Sequence, residues 1–289
     1  MKQGGQQTAH GGFTIVETLI VFAVTGLLFV AAILLISGRQ AKAEFTTSIN
    51  SLEQQLQQII NETDSGYYPN SGNEFVCSGA SHPVSLVSGS QEQGTNSGCI
   101  FLGKAIQFGL DTDSSKLGVI PVVGNQYTAG TDPIETLSEA SPIAAYNKDT
   151  ITGSVETLAM QYGLTVASNS ADCGGTAGMC YKPVGGGAAQ KVGLIAFLSG
   201  DASGTIAAST GGGLKSGGQQ LTLYAVKNSQ PAQSYTDAAN QIANFSNLAV
   251  ADSVSICVAS GTTSNQTGLI TIDSGLRVSL VIKGNASCA

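Results

Sequence analysis

The residues from Thr18 to Ile36 carry no charge, and a single carboxylate, Glu17, stands directly before them. At roughly 1.5 Å per residue, Leu19 to Ile36 makes about 27 Å of helix, close to the roughly 30 Å hydrocarbon thickness of a bilayer. A membrane span is therefore the first expectation. A cleaved secretory signal also pairs a short leader with an apolar run. Here, however, Met1 to Gly12 offers only Lys2 and His10 for positive charge, no small-x-small site follows the run, and a Gly-Phe pair precedes it. A lone carboxylate in lipid is costly and normally has a partner, so Glu17 requires a cation.

Beyond the span the pattern stays helical but becomes one-sided. Phe45, Ile49, Leu52, Leu56, Ile59 and Ile60 recur at three- and four-residue steps, with Glu44, Asn50, Glu53, Gln54, Gln55, Gln57 and Gln58 between them. One helix from Phe13 to about Asn61, roughly 73 Å long, is expected, its second half laying an apolar stripe on a folded head. Gly26 and Gly38 are its weak points, at about 1 kcal/mol each relative to alanine.

The rest of the chain is poor in charge and rich in small residues, yet segments of it alternate. Leu117 to Val123, Val192 to Leu198, Gln220 to Val226, Ser253 to Ala259, Leu269 to Ile272 and Arg277 to Ile282 read as strands bounded by Gly, Ser, Asn and Asp turns. The last three predict an antiparallel C-terminal meander, and Cys99 to Leu110 is apolar enough for a central strand. Weaker helical patterns cover Pro133 to Tyr146, Ser234 to Phe245 and Val155 to Tyr162. Gly174 to Gly178, Gly185 to Gly187 and Gly211 to Gly218 read as surface loops. The expected fold class is α+β: a long N-terminal helix packed on an antiparallel, sheet-rich head.

All six cysteines lie in that head: Cys77, Cys99, Cys173, Cys180, Cys257 and Cys288. An even count beyond a membrane span points to disulfides formed in an oxidising space. Pairing of sequence neighbours is favoured, Cys77 with Cys99, Cys173 with Cys180 and Cys257 with Cys288. Zinc needs clustered ligands, usually Cys-x-x-Cys with histidines, and the cysteines are too dispersed for that.

Gly12-Phe13-Thr14-Ile15-Val16-Glu17, leading into the apolar run, resembles the class III signal of type IV pilins and type II secretion pseudopilins. The resemblance implies a leader over residues 1–12 and a helix over 13–62, transmembrane at 15–37 and amphipathic at 40–62. The head then occupies 63–289. It also implies that a prepilin peptidase/methyltransferase cuts between Gly12 and Phe13 and methylates the new Phe13 amine. Glu17 then meets the N-terminal amine of a neighbouring subunit, because an unpaired buried carboxylate is costly. Other implied partners are further pilin subunits, in a homopolymer or mixed filament, an assembly ATPase and a platform protein. The precursor is expected in the cytoplasmic membrane with its head outside, and the product in an extracellular filament used for attachment or twitching. Cys99 to Lys104 and the C-terminal meander also resemble pilin-like proteins of candidate-phyla bacteria such as Saccharibacteria. Alternatives are a secretion pseudopilin, a minor pilin, or a membrane-anchored binding protein that never polymerises. Against the family pattern, no proline interrupts the helix before Pro69, and Arg39 and Lys42 follow the span while only Lys2 precedes it. Counted alone, those charges favour the opposite orientation.

No enzymatic activity and no cofactor are expected. Ser199-Gly200-Asp201-Ala202-Ser203-Gly204 is a broken version of a serine-protease motif, with only His10 and His82 to serve as base. Asp111-Thr112-Asp113-Ser114-Ser115 has oxygen ligands for calcium but no closing glutamate, which makes a polar turn the better reading. The formal net charge is −7, and no basic run marks a nucleic-acid track, although Lys182, Lys191, Lys215 and Lys227 could gather on one face. Tyr67-Tyr68 and the glycine-rich loops are the candidates for adhesion to a host or surface ligand of unknown identity.

Overall fold

A computed structural model describes residues 14–66, 75–78, 82–89, 99–129, 132–146, 151, 155–167, 178–200, 220–231, 233–261, 266–284 and 288. Gly12, Phe13, Tyr67, Tyr68, Cys173 and Lys215 lie outside the described residues. Helix α1 runs over Ile15–Asp64, 50 residues without a break. Packing divides the chain between Ala43 and Glu44 into two units.

In the first unit every described side chain from Thr14 to Leu34 is exposed, including Phe22, Leu27, Phe29 and Ile33. This helix is long and apolar enough to cross a membrane. Its hydroxyls bond within the helix: Thr18 Oγ1 donates to the Thr14 carbonyl at 3.0 Å and Thr25 Oγ1 to the Val21 carbonyl at 2.7 Å. A helix in hydrocarbon must satisfy its polar groups internally, and these threonines do so.

In the second unit α1 buries the stripe that its sequence marks. Phe45, Ile49, Leu52, Leu56, Ile59 and Ile60 are all buried, while Asn50, Gln54, Gln58 and Asn61 are exposed. They pack on a sheet built from β3 (Cys99–Leu110), β4 (Asp113–Asn125), β5 (Ile143–Ala144), β10 (Leu194–Ser199), β11 (Leu221–Val226), β12 (Leu248–Ser260), β13 (Thr267–Asp273) and β14 (Val278–Lys283). The spatial order is β14-β13-β12-β11-β10-β3-β4-β5 and every pairing is antiparallel. Four short strands attach to this path: β6 (Glu156–Ala159) pairs with β4, β7 (Leu164–Val166) and β8 (Met179–Pro183) with β12, and β9 (Gln190–Lys191) with β8. A separate hairpin joins β1 (Phe75–Ser78) to β2 (Ser85–Ser88).

The two faces of the sheet explain the two kinds of strand pattern. Along β3, β4, β10 and β11, residues such as Ile106, Val119, Phe197 and Leu223 face α1. Their neighbours, including Ala105, Ile120, Ala196 and Tyr224, face a second layer made by α2 (Leu137–Ala140) and α3 (Tyr235–Ile242). Strands covered on both sides read as continuous apolar runs. Strand β13 is covered fully on one face only and alternates: Ile270 and Ile272 are buried while Leu269 and Thr271 are half-exposed.

Two expectations require correction. The segment Val155 to Tyr162 is not a helix: Glu156–Ala159 is a strand, and a short 3₁₀ turn follows at Gln161–Gly163. Pairing with the exposed edge of β4 satisfies its backbone better than an isolated turn of helix would. Only Leu137–Ala140 of the Pro133 to Tyr146 segment is helical, held by a Thr136/Glu139 capping box, and Ile143–Ala144 joins the sheet instead. The expected antiparallel C-terminal meander is present as β12-β13-β14, and β12 has further neighbours. That strand meets β13 along one edge, β8 and β7 along residues Ala251–Ser260, and β11 at Leu248–Val250.

Candidate functional site

The first turn of α1 places Glu17 three residues after Thr14. The backbone N–H and Oγ1 of Thr14 both donate to Glu17 Oε2 at 3.2 Å, and the Glu17 N–H donates to Thr14 Oγ1 at 3.3 Å. This is a reciprocal capping box: Thr14 caps the helix and Glu17 occupies its third position. It satisfies orphan N–H groups at the helix start and sets a carboxylate against the positive end of the helix dipole. The Ser/Thr-x-x-Glu signature is visible in Thr14-Ile15-Val16-Glu17, and reading Glu17 only as a residue in need of a cation missed it. The carboxylate is thus held at the N-terminal tip of an apolar rod.

Where α1 ends, it is tied to the sheet by charge. Lys104, on the face of β3 that α1 covers, is 1% exposed, and its Nζ lies 2.5 Å from Oε2 of Glu62. Gln58 Nε2 donates to the other carboxylate oxygen at 2.7 Å. Burial pushes the Glu62 carboxyl up, but the hydrogen bonds from Lys104 and Gln58 and the ammonium charge outweigh it and leave it below the ordinary value. Nearer the start of the stripe, Gly268 of β13 lies under Ile49, and a Cβ there would collide with Ile49 Cδ1. Ser48 Oγ donates to the Gln161 carbonyl at 2.5 Å.

Among the described residues two disulfides have both partners in view. Cys77 bonds Cys99, joining the β1–β2 hairpin to the start of β3, and Cys257 bonds Cys288, fastening the C-terminal segment to β12. Cys180 is disulfide-bonded as well. Cys257 and Cys288 are buried.

Of the remaining sequence candidates, only two lysines are brought together among the described residues. His82 Nε2 lies 2.8 Å from the Tyr127 carbonyl oxygen, and Asp201 to Gly204 fall outside the described residues. Asp113 accepts from the Ser115 hydroxyl and N–H and pairs with Lys116 at 3.0 Å; these contacts bring its carboxyl down to about 2. That is the polar turn between β3 and β4, with Asp111 and Thr112 at positive φ. Among the described residues no group of His, Cys, Asp and Glu is arranged to hold a metal. Lys182 and Lys191 do share one face of the sheet, through the β8–β9 and β8–β12 registers.

No family model matches the chain. Neither characterised proteins nor solved structures provide a match.

Proposed function

We propose that the chain is a type IV pilin-like subunit: a precursor anchored in the cytoplasmic membrane by α1, cut after Gly12 and assembled through α1 into an extracellular filament. The observation that carries this reading is the carboxylate of Glu17 at the tip of a helix whose first half is apolar on every side and whose second half is built into a disulfide-closed antiparallel head. A helix apolar all round needs lipid or other helices around it. The same surface can serve both states in turn, before and after polymerisation. Disulfides form in oxidising compartments, which supports a head outside the cytoplasm.

The capping box favours a second reading, a membrane-anchored binding protein that never polymerises, because it gives Glu17 a role within its own chain. Two substitutions separate the readings. Glutamine at the third helical position still completes a capping box, whereas alanine does not. If Glu17 only caps, Glu17→Gln behaves as wild type; if its charge pairs with a neighbour's amine, Glu17→Gln abolishes filaments as thoroughly as Glu17→Ala. Intact mass of sheared surface filaments and of membranes provides the direct test. A filament species beginning at methylated Phe13, six hydrogens lighter than its fully reduced form, supports the pilin reading with three disulfides. Full-length protein that stays in the membrane with residues 1–12 attached refutes it.

A further inference from the structure

On the face of the sheet turned away from α1, strands β8, β12 and β13 form the floor of a cavity of about 210 Å³. It is lined by Lys182, Ser253, Ser255, Leu269, Thr271 and, from the hairpin arm that rims it, Ala189. Strand register fixes their places. Cys180, Ser255 and Thr271 form one cross-strand row, with Lys191 beyond Cys180; Lys182, Ser253 and Asp273 form the next. A bulge in β12 between Ala251 and Ser253 sets this register. Ala251 is buried beneath α1, and Asp252 is the extra residue that lets Ser253 face outward beside Lys182. Bulges re-aim side chains in this way beside functional sites.

The floor is anchored through Cys180, and three of its polar groups face the cavity. Cys180 is buried and disulfide-bonded, so the strand carrying Lys182 is held in place. The Lys182 ammonium and the Ser253 and Thr271 hydroxyls have no side-chain partner among the described residues. The charge across the floor is graded, with Lys191 and Lys182 on one side and Asp273 on the other, where it accepts from the Arg277 N–H at 3.0 Å. A cation, two hydroxyls and an apolar wall from Leu269 and Ala189 suit a ligand with a carboxylate, hydroxyls and a C–H face. At about 30 Å³ per water the cavity has the space of about seven waters, room for about one small ring.

We infer that this cavity binds a single carboxylated sugar unit, such as a hexuronic acid at the end of a polysaccharide. Lys182 takes the carboxylate, and Ser253 and Thr271 take ring hydroxyls. The grade of charge sets the ligand's direction, with its carboxylate toward the lysines and its hydroxyls toward Asp273. The site belongs to the head alone and does not depend on whether the chain polymerises.

The test is ligand-observed saturation-transfer NMR on the full chain in detergent micelles, titrated with D-glucuronate, D-glucose and acetate. Glucuronate is expected to saturate in the millimolar range, with glucose and acetate each at least about tenfold weaker, since each lacks one half of the recognition. Lys182→Ala and Ser253→Val are expected to remove the glucuronate signal while Lys227→Ala leaves it unchanged, each variant being checked for wild-type thermal unfolding. Three results overturn the inference: no transfer at tens of millimolar glucuronate, glucose binding as well as glucuronate, or acetate binding as well as glucuronate, which marks a simple anion site. Retention of the signal in both folded variants overturns it as well.

Discussion

The pair formed by Lys104 and Glu62 offers the sharpest test of how α1 is fixed to the head. Lys104 is 1% exposed and Glu62 25% exposed, so the two substitutions that break the pair are unequal. Glu62→Ala removes the carboxylate 2.5 Å from a desolvated ammonium, and breaking a buried pair in this direction costs about 3 kcal/mol. Lys104→Met removes the buried charge and leaves a carboxylate that reaches water and keeps its bond from Gln58, so about 1 kcal/mol is expected. For a head of this size each kcal/mol moves Tm by about 2–4 °C, which places Glu62→Ala about 6–12 °C below wild type and Lys104→Met about 2–4 °C below it. The double variant Glu62→Leu/Lys104→Met replaces the ion pair with apolar contact and should lie close to wild type. The assay is thermal unfolding of the full chain in detergent, followed by circular dichroism near 218 nm, roughly the band of the sheet. If Glu62→Ala unfolds within a degree or so of wild type, or if Lys104→Met is the more damaging, the asymmetric burial argument is wrong.

The same pair has a pH signature. The folded Glu62 carboxyl lies below its ordinary value of 4.5, so its stabilisation is fully present above that pH and is lost as pH falls through the folded value. Tm should therefore fall less steeply in Glu62→Gln than in wild type between about pH 5 and pH 3, and parallel curves would count against the pair. Gly268→Val should destabilise by about 1–3 kcal/mol because the new side chain meets Ile49, and Ile49→Ala in the same chain should recover part of that loss. If Gly268→Val unfolds at or above the wild-type temperature, α1 does not approach β13 that closely. Cys257→Ser/Cys288→Ser opens a loop of 31 residues and should cost about 3–4 kcal/mol in denaturant unfolding, whereas an unchanged midpoint would mean that the C-terminal segment is held by other contacts.

Much of the fold was legible because it is written in local periodicity. The lipid-length apolar run, the stripe from Phe45 to Ile60 and the strands at Leu117 to Val123 and Arg277 to Ile282 all correspond to structural features; the bonds of Cys77 with Cys99 and Cys257 with Cys288 follow instead the expected pairing of sequence neighbours. At Glu17 the local signal was present and incompletely read: Thr14 and Glu17 have capping-box spacing, and a carboxylate that sequence alone leaves seeking a cation already has donors in its own first turn. The strand at Glu156–Ala159 was illegible for the opposite reason. Its residues have weak preferences, and it is a strand because the edge of β4 supplies hydrogen bonds.

Sequence periodicity by itself assigns the long helix and the strongly patterned strands, and which face of each avoids water, since a 3.6- or 2-residue period is a property of neighbouring residues. Tertiary structure alone decided what covers each face. Lys104 sits in an apolar strand 42 residues from the glutamate that makes its burial tolerable, and nothing near either residue announces the other. Lys182, Ser253 and Thr271 meet in one cavity because β12 carries a bulge and lies between β8 and β13. Such contacts follow from strand order and register, which are fixed by the competition of all the apolar faces for a common core, and no window of sequence contains that competition.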